Sequence, residues 1–146
     1  MSLTTFQKIE KPADREALLE IFLQTRFDEL GAIFGNAYIE GLRLEWVSAN
    51  SVKVKTGMAD LPDGSRRLRV AADITVSSIS LGNNAWGHVY LYSNAGAAAV
   101  EVVTPAPSNY FGGAYQKTGN ATRRYLGSVR TDGSGNILNF LHLLPN

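Results

Sequence analysis

The sequence predicts a mainly β protein, an antiparallel β-sandwich of the jelly-roll-like kind, preceded by one N-terminal α-helix. Three observations carry this. Short alternating or apolar stretches recur from residue 38 onward, separated by turns rich in Gly, Asn, Asp and Pro. Turn signals about every 8 to 12 residues are the spacing of sandwiches and barrels. No helical pattern stands between the strands, which argues against a parallel α/β sheet. The expected organisation is an arm and helix over 1–35, for attachment or oligomerisation, and a β-sandwich over 36–146.

Residues 1–11 read as a polar arm containing Phe6 and Ile9. Pro12 suits a first helical position, where its missing N–H is no loss. Asp14 and Glu16 place negative charge in the first turn, where the helix dipole favours it. From Ala13 to Phe34 good helix formers predominate, with no Gly or Pro before Gly31. One helix of about five turns is predicted. Leu18, Leu19, Phe22, Leu23, Phe27, Leu30, Ile33 and Phe34 share one half of its surface, and Ala17 and Ile21 fall outside it. The extra apolar positions predict contacts on two sides, one with the chain's own sheet and one with a second copy. The alternative is a helix tucked deeply against its own sheet. Leu18, Ile21, Phe22 and Phe27 are the expected interface positions.

The strands follow in order. Tyr38 to Trp46 and Ser51 to Thr56 alternate, with Ala49-Asn50 as the hairpin loop between them. Pro62-Asp63-Gly64 is a turn. Leu68 to Val76 and Ile79 to Leu81 read as strands or fragments, and Gly82-Asn83-Asn84 as another turn. Trp86 to Tyr92 and Ala98 to Val103 form a hairpin about Asn94-Ala95-Gly96. Thr104 to Gly113, with Pro105 and Pro107, is predicted to be a loop. Arg123 to Arg130 and Ile137 to Leu143 should close the domain as a second hairpin about the Asp132–Asn136 turn.

Composition bounds the rest. The 146 residues fit one domain with a short appendage, and the 45% apolar fraction suits a buried core. A net charge of +1 gives no reason to expect nucleic acid or an anionic membrane. The absence of cysteine removes disulfides, thiolate metal sites and cysteine nucleophiles. Residues 1–10 lack the pattern of a signal peptide, and no apolar stretch approaches the roughly 20 residues of a membrane span. A product of a reducing cytoplasm, without membrane insertion, is expected.

The run Trp86-Gly87-His88-Val89-Tyr90-Leu91-Tyr92 resembles the W-x-H-V-Y-L strand of many bacteriophage and prophage virion proteins. In those proteins a strand resembling Ala98-Val100-Glu101-Val102 follows a Gly-rich turn. Then come a Pro-containing loop and a segment resembling Lys117-Thr118-Gly119. The block closes with a run resembling Arg124-Tyr125-Leu126-Gly127-Ser128-Val129-Arg130-Thr131-Asp132-Gly133-Ser134-Gly135-Asn136-Ile137, and a Phe, here Phe140. The resemblance covers residues 38 to 143. It implies a tail-fibre, tail-spike or other virion-surface β domain, commonly trimeric. The chain lacks the shaft and the lyase or glycosidase domain of long fibres, so a depolymerase role is not expected.

Candidate chemistry is sparse. His88 sits mid-strand beside Trp86 and Tyr90 without an evident orienting carboxylate, and His142 stands alone near the C-terminus; both read as structural. Asp132-Gly133-Ser134-Gly135-Asn136 spaces its oxygens like a calcium loop, but the closing acid would fall at Leu143. A self-stabilised turn is expected instead. Asp60, Asp63 and Asp73 are candidate paired carboxylates for glycoside hydrolysis, and also ordinary turn and strand-end acids. Two arginine clusters, Arg66, Arg67 and Arg69 and then Arg123, Arg124 and Arg130, suit strand edges and subunit contacts. Tyr110, Phe111 and Tyr115 in a Gly-rich stretch are expected to bind a glycan or a neighbouring protein, and Trp86 is a further binding candidate. Their alternative is to cover one end of the sandwich.

The expected function is a non-enzymatic virion structural protein, tail fibre or surface component, assembling as a homotrimer with other virion proteins. The alternatives are a module recognising host-surface carbohydrate, a head decoration (cement) protein, and a small glycan hydrolase. No cofactor, metal or nucleic acid is expected. If the helix serves assembly, Ile21→Asp should reduce the sedimenting oligomer more than it lowers folding stability. An unchanged sedimentation profile would contradict that role.

Overall fold

The computed structural model describes residues 36–142 and, before them, Leu19 alone. The predicted helix, and with it Leu18, Ile21, Phe22 and Phe27, lies outside the described residues. The chain divides into two compact units, Met1–Gly35 and Asn36–Asn146. The second is mainly β, with antiparallel sheets throughout.

Six strands come first: β1 (Ile39–Gly41), β2 (Leu44–Ser48), β3 (Ser51–Val54), β4 (Gly57–Asp60), β5 (Arg67–Val70) and β6 (Ile74–Val76). They form two three-stranded sheets, ordered β1-β4-β5 and β2-β3-β6. The register shows that these are two ends of one bent meander. Leu44 pairs with Val54, and Gly41 pairs with Gly57. Between these pairs Lys55 N–H donates to the Arg43 carbonyl at 2.9 Å and Leu42 N–H to the Thr56 carbonyl at 3.1 Å. The predicted strand Tyr38–Trp46 is therefore one run bent at Gly41-Leu42, where both residues have positive φ, 66° and 61°. The predicted strand Leu68–Val76 is split in the same way, its first half pairing β4 and its second half β3.

Glycine makes the bend possible. A Cβ on Gly57 would lie 2.2 Å from the Glu40 carbonyl oxygen, and one on Gly41 would lie 2.5 Å from the Thr56 carbonyl oxygen. Both obstacles are backbone and have no room to retreat.

Five longer strands follow: β7 (Trp86–Asn94), β8 (Ala97–Val103), β9 (Pro107–Phe111), β10 (Ala114–Lys117) and β11 (Asn120–Arg130). They make one sheet in the order β8-β7-β11-β10-β9. Two expectations are corrected here. The predicted loop Thr104–Gly113 contains β9. Pro107 begins β9 at the sheet edge, where a residue without an N–H costs no ladder bond. The described part of the C-terminal run, from Ile137 to His142, meets β11 only at its end, where Leu138 N–H donates to the Arg130 carbonyl at 2.9 Å, and forms no hairpin strand with it. β7 takes one edge of β11 as far as Arg130, while β10 takes the other only as far as Arg124. After the isolated bridge Thr131–Ile137 the chain crosses to β2, where it makes a second isolated bridge, Glu45–Leu141. Ile79–Leu81 is not a strand either; Leu81 packs beneath Gly87 and Ile79 against the core.

One apolar core serves both the meander and the large sheet. Leu44, Val52, Val54, Leu68 and Val70 come from the meander, and Val89, Leu91, Leu126 and Val129 from β7 and β11. Strict alternation supplies them, as in β5, where Leu68 and Val70 are buried and Arg67 and Arg69 exposed. Each such buried side chain contributes roughly 1.5–3 kcal/mol.

Gly57→Ala should cost about 1–3 kcal/mol or more, as a strained backbone position does. Gly113→Ala, where a Cβ meets nothing within 4 Å, should be close to neutral. Thermal denaturation of both variants checks the contrast; equal midpoints would contradict the close-approach account.

Candidate functional site

The large sheet has two unlike faces. Along β7, Gly87, Val89 and Leu91 turn inward, so Trp86, His88, Tyr90 and Tyr92 share the outward face. β11 matches them through a bulge. Tyr125 pairs with Tyr90, then Gly127 with Val89 and Ser128 with His88, so Leu126 is the extra residue. Leu126 fills the core, and Gly127 leaves room for Leu44, whose Cδ1 would lie 2.7 Å from a Cβ there. Without the bulge Ser128 would not fall opposite His88.

The outward face is a web of rings and hydrogen bonds. Tyr115, Tyr125 and Tyr90 lie in a row across β10, β11 and β7, with ring centres 6.1 and 6.0 Å apart. The Ser128 hydroxyl sits 2.7 Å from His88 Nδ1 and 2.8 Å from the Tyr125 hydroxyl. Tyr90 is fully buried and donates to the Pro105 carbonyl at 2.6 Å; burial pushes its phenol up to about 12. Glu101 on β8 accepts from Lys117 Nζ and Arg123 Nε, both at 3.0 Å. Arg123 lies 4.0 Å over the Tyr92 ring and Arg130 5.6 Å over the Trp86 ring. Cations over such faces are attracted by the ring quadrupole. Arg130 makes no ion pair among the described residues.

The sequence-predicted residues divide. Trp86, 54% exposed, and Tyr115, 41% exposed, stand on this outward face. Phe111 is exposed at the β9–β10 turn. Tyr110 is elsewhere. Its hydroxyl donates to the Asn36 carbonyl at 2.7 Å and accepts from Arg124 Nη1. Arg124 is buried and also reaches the carbonyls of Asn36 and Ala37, at 3.2 and 2.9 Å. Together they grip the backbone that leads into β1. Burial pushes the Arg124 pKa down, yet a guanidinium stays charged at neutral pH. Tyr90, Tyr125, Ser128 and Glu101 are the face residues that sequence reasoning passed over. The signal for the first was present: every second residue from Trp86 to Tyr92 carries a ring.

The candidate acids are far from one another in role. Asp60 pairs with Arg67 at 2.7 Å, Asp73 with Lys55 at 2.6 Å, and Asp63 accepts from Ser65 N–H at 2.9 Å. Asp132 Oδ1 accepts from the N–H groups of Ser134 and Asn136 at 2.8 and 2.9 Å. Those bonds hold its carboxyl below the ordinary range. The turn is stabilised by its own side chain. His88 with Ser128 has the contact of a base with a nucleophile, but no carboxylate bonds the imidazole among the described residues.

His142 fastens the C-terminal run to β2: its Nδ1 accepts from Leu44 N–H at 3.0 Å. A backbone N–H only donates, so Nδ1 is the unprotonated nitrogen and Nε2 carries the hydrogen. Burial, then Arg43, holds His142 below the ordinary imidazole range, and burial does the same for His88. A pKa depressed by folding means that the unfolded chain takes up protons first as pH falls. The contribution is full above about pH 6.5 and is lost as pH falls through the lower folded values. Thermal midpoints should therefore drop on acidification from neutral pH. His142→Gln should flatten part of that drop and leave the His88 share; an unchanged slope would contradict the assignment.

Comparison of the chain with protein-family models, with curated proteins and with solved structures finds no match.

Proposed function

We propose that the chain is a non-enzymatic structural protein of a bacteriophage virion, a tail-fibre-like or other surface component. On this reading it is made in the bacterial cytoplasm and assembles as a homo-oligomer, most simply a trimer. It meets neighbouring virion proteins through the outward face of the large sheet. The observation that carries the reading is the contrast between tied and free groups. Asp60, Asp63, Asp73, Asp132 and Glu101 each hold a partner that serves the scaffold. The large side chains left exposed on the sheet face, Trp86 and Tyr115, are of the kind that anchors interfaces. The virion assignment rests on the resemblance, whose Arg124–Ile137 run forms most of β11 and the turn after it. The finer fold reading, a jelly-roll-like sandwich with the bent meander as one layer, is supported by the core common to meander and large sheet.

A second reading is a module that recognises host-surface carbohydrate. The exposed Trp86 ring beside Arg130, which pairs with no carboxylate among the described residues, favours it, since a flat ring and a guanidinium suit a sugar face and its polar groups.

Light scattering coupled to size exclusion tests the first reading at two concentrations. The expected mass is three times the 15.8 kDa of the chain at both. A joint Trp86→Ala and Tyr115→Ala variant should keep that mass and lose capture by the neighbouring virion protein. A monomer at both concentrations would overturn the homo-oligomer and favour the carbohydrate module.

A further inference from the structure

We infer that the slot between β1 and the β10–β11 pair takes an extended peptide segment of another protein, added as a strand to the free edge of β1. The inference is independent of the virion reading, because it rests on main-chain geometry. Among the described residues β1 has a strand neighbour on one side only, β4. The direction of its main-chain groups follows from two bonds: Asp60 N–H donates to the Tyr38 carbonyl at 2.9 Å, and Leu42 N–H to the Thr56 carbonyl at 3.1 Å. Residues 38, 40 and 42 therefore turn their main-chain groups towards β4. In an antiparallel ladder those of Ile39 and Gly41 point the other way.

On that other side lies a concavity of about 490 Å³, whose walls include Ile39, Gly41, Tyr115, Tyr125, Arg124 and His142. No β4 residue lines it. Its size falls in the range of roughly 300–1,000 Å³ typical of binding sites. Ile39 and Gly41 stand about 6.7 Å apart along the strand, the repeat at which an added strand presents its own donors and acceptors.

The walls add a side-chain donor. His142 Nε2 carries a hydrogen, because Nδ1 accepts from Leu44 N–H. Among the described residues of the lining, Glu40 sets one negative charge against the guanidinium of Arg124. The tyrosine walls and near-neutral lining suit an uncharged, extended backbone. A compact ligand would leave the two-residue repeat of β1 unmatched. A second copy's β1 is held in its own meander, so the added strand is assigned to a different polypeptide.

The test is a titration of the isotope-labelled full chain, followed by amide NMR. The probe is a terminally blocked pentapeptide of alternating threonine and valine. Saturable shifts at the Ile39 and Gly41 amides, with slower solvent exchange, are expected. The same peptide N-methylated at its valines cannot donate those bonds and should bind at least tenfold more weakly. Gly113 lines the slot, lacks a positive φ, and would carry a Cβ that meets nothing within 4 Å. Gly113→Trp should therefore fold, fill the slot and abolish the shifts. Ile39→Pro removes an outward N–H without touching the bonds to β4, and should weaken binding similarly. Absent shifts at millimolar peptide, or equal binding of the N-methylated peptide, would overturn the inference. So would dissociation of an oligomer by Gly113→Trp, which would assign the slot to a second copy.

Discussion

The close approach of Gly41 and Gly57 is the contact on which the remaining architecture depends. Two backbones meet there at a distance no side chain permits. That approach lets a three-stranded meander turn sharply without losing its register, because the bonds from Lys55 N–H to the Arg43 carbonyl and from Leu42 N–H to the Thr56 carbonyl carry the ladder through the corner. The bend gives one short meander two walls. Both walls, and the inner face of the five-stranded sheet, then supply side chains to a single core. A straight meander of the same length would present one flat face and leave much of that apolar surface in water.

The same bend sets the polar features apart. Arg124 and Tyr110 face inward and hold the backbone leading into β1, while the next residue, Tyr125, faces outward into the ring web. One strand thus serves two surfaces, and the bulge at Leu126 keeps both in phase. The outward web is largely self-satisfied: hydroxyls, imidazole and carboxylate are bonded to one another or to backbone. That satisfaction makes the face rigid, and rigid faces lose little entropy when they bind.

Much of the β character was legible in the chain, because alternation and turn chemistry act locally. Ser51–Val54 and Trp86–Asn94 follow directly from period-two patterns, and the turn at Asp132 from its own side chain. What local patterns missed was long-range. Nothing near Pro107 says that it starts an edge strand. Nothing near Ile137 says that the chain leaves β11 after Leu138 and bridges β2 through Leu141 instead. The corner at Gly41 was visible only as a glycine within an alternating run; its meaning lies in Gly57, on the facing strand. For the candidate site, Trp86 and Tyr115 were found as aromatic residues. Their company, Tyr90, Tyr125 and Ser128, needed the register between β7 and β11.

The position of β11 has a consequence for synthesis. It is the longest strand described and lies inside the sheet, yet it follows every other described strand in the chain. During translation the meander and the β7–β8 and β9–β10 hairpins emerge with mostly local partners. The facing edges of β7 and β10 must then wait, unpaired, for the strand that joins them. A nascent chain in that interval is two half-sheets with open, apolar-backed edges, the state in which β proteins meet one another wrongly. The speed with which β11 slots between them is therefore a determinant of yield, separate from the stability of the finished fold.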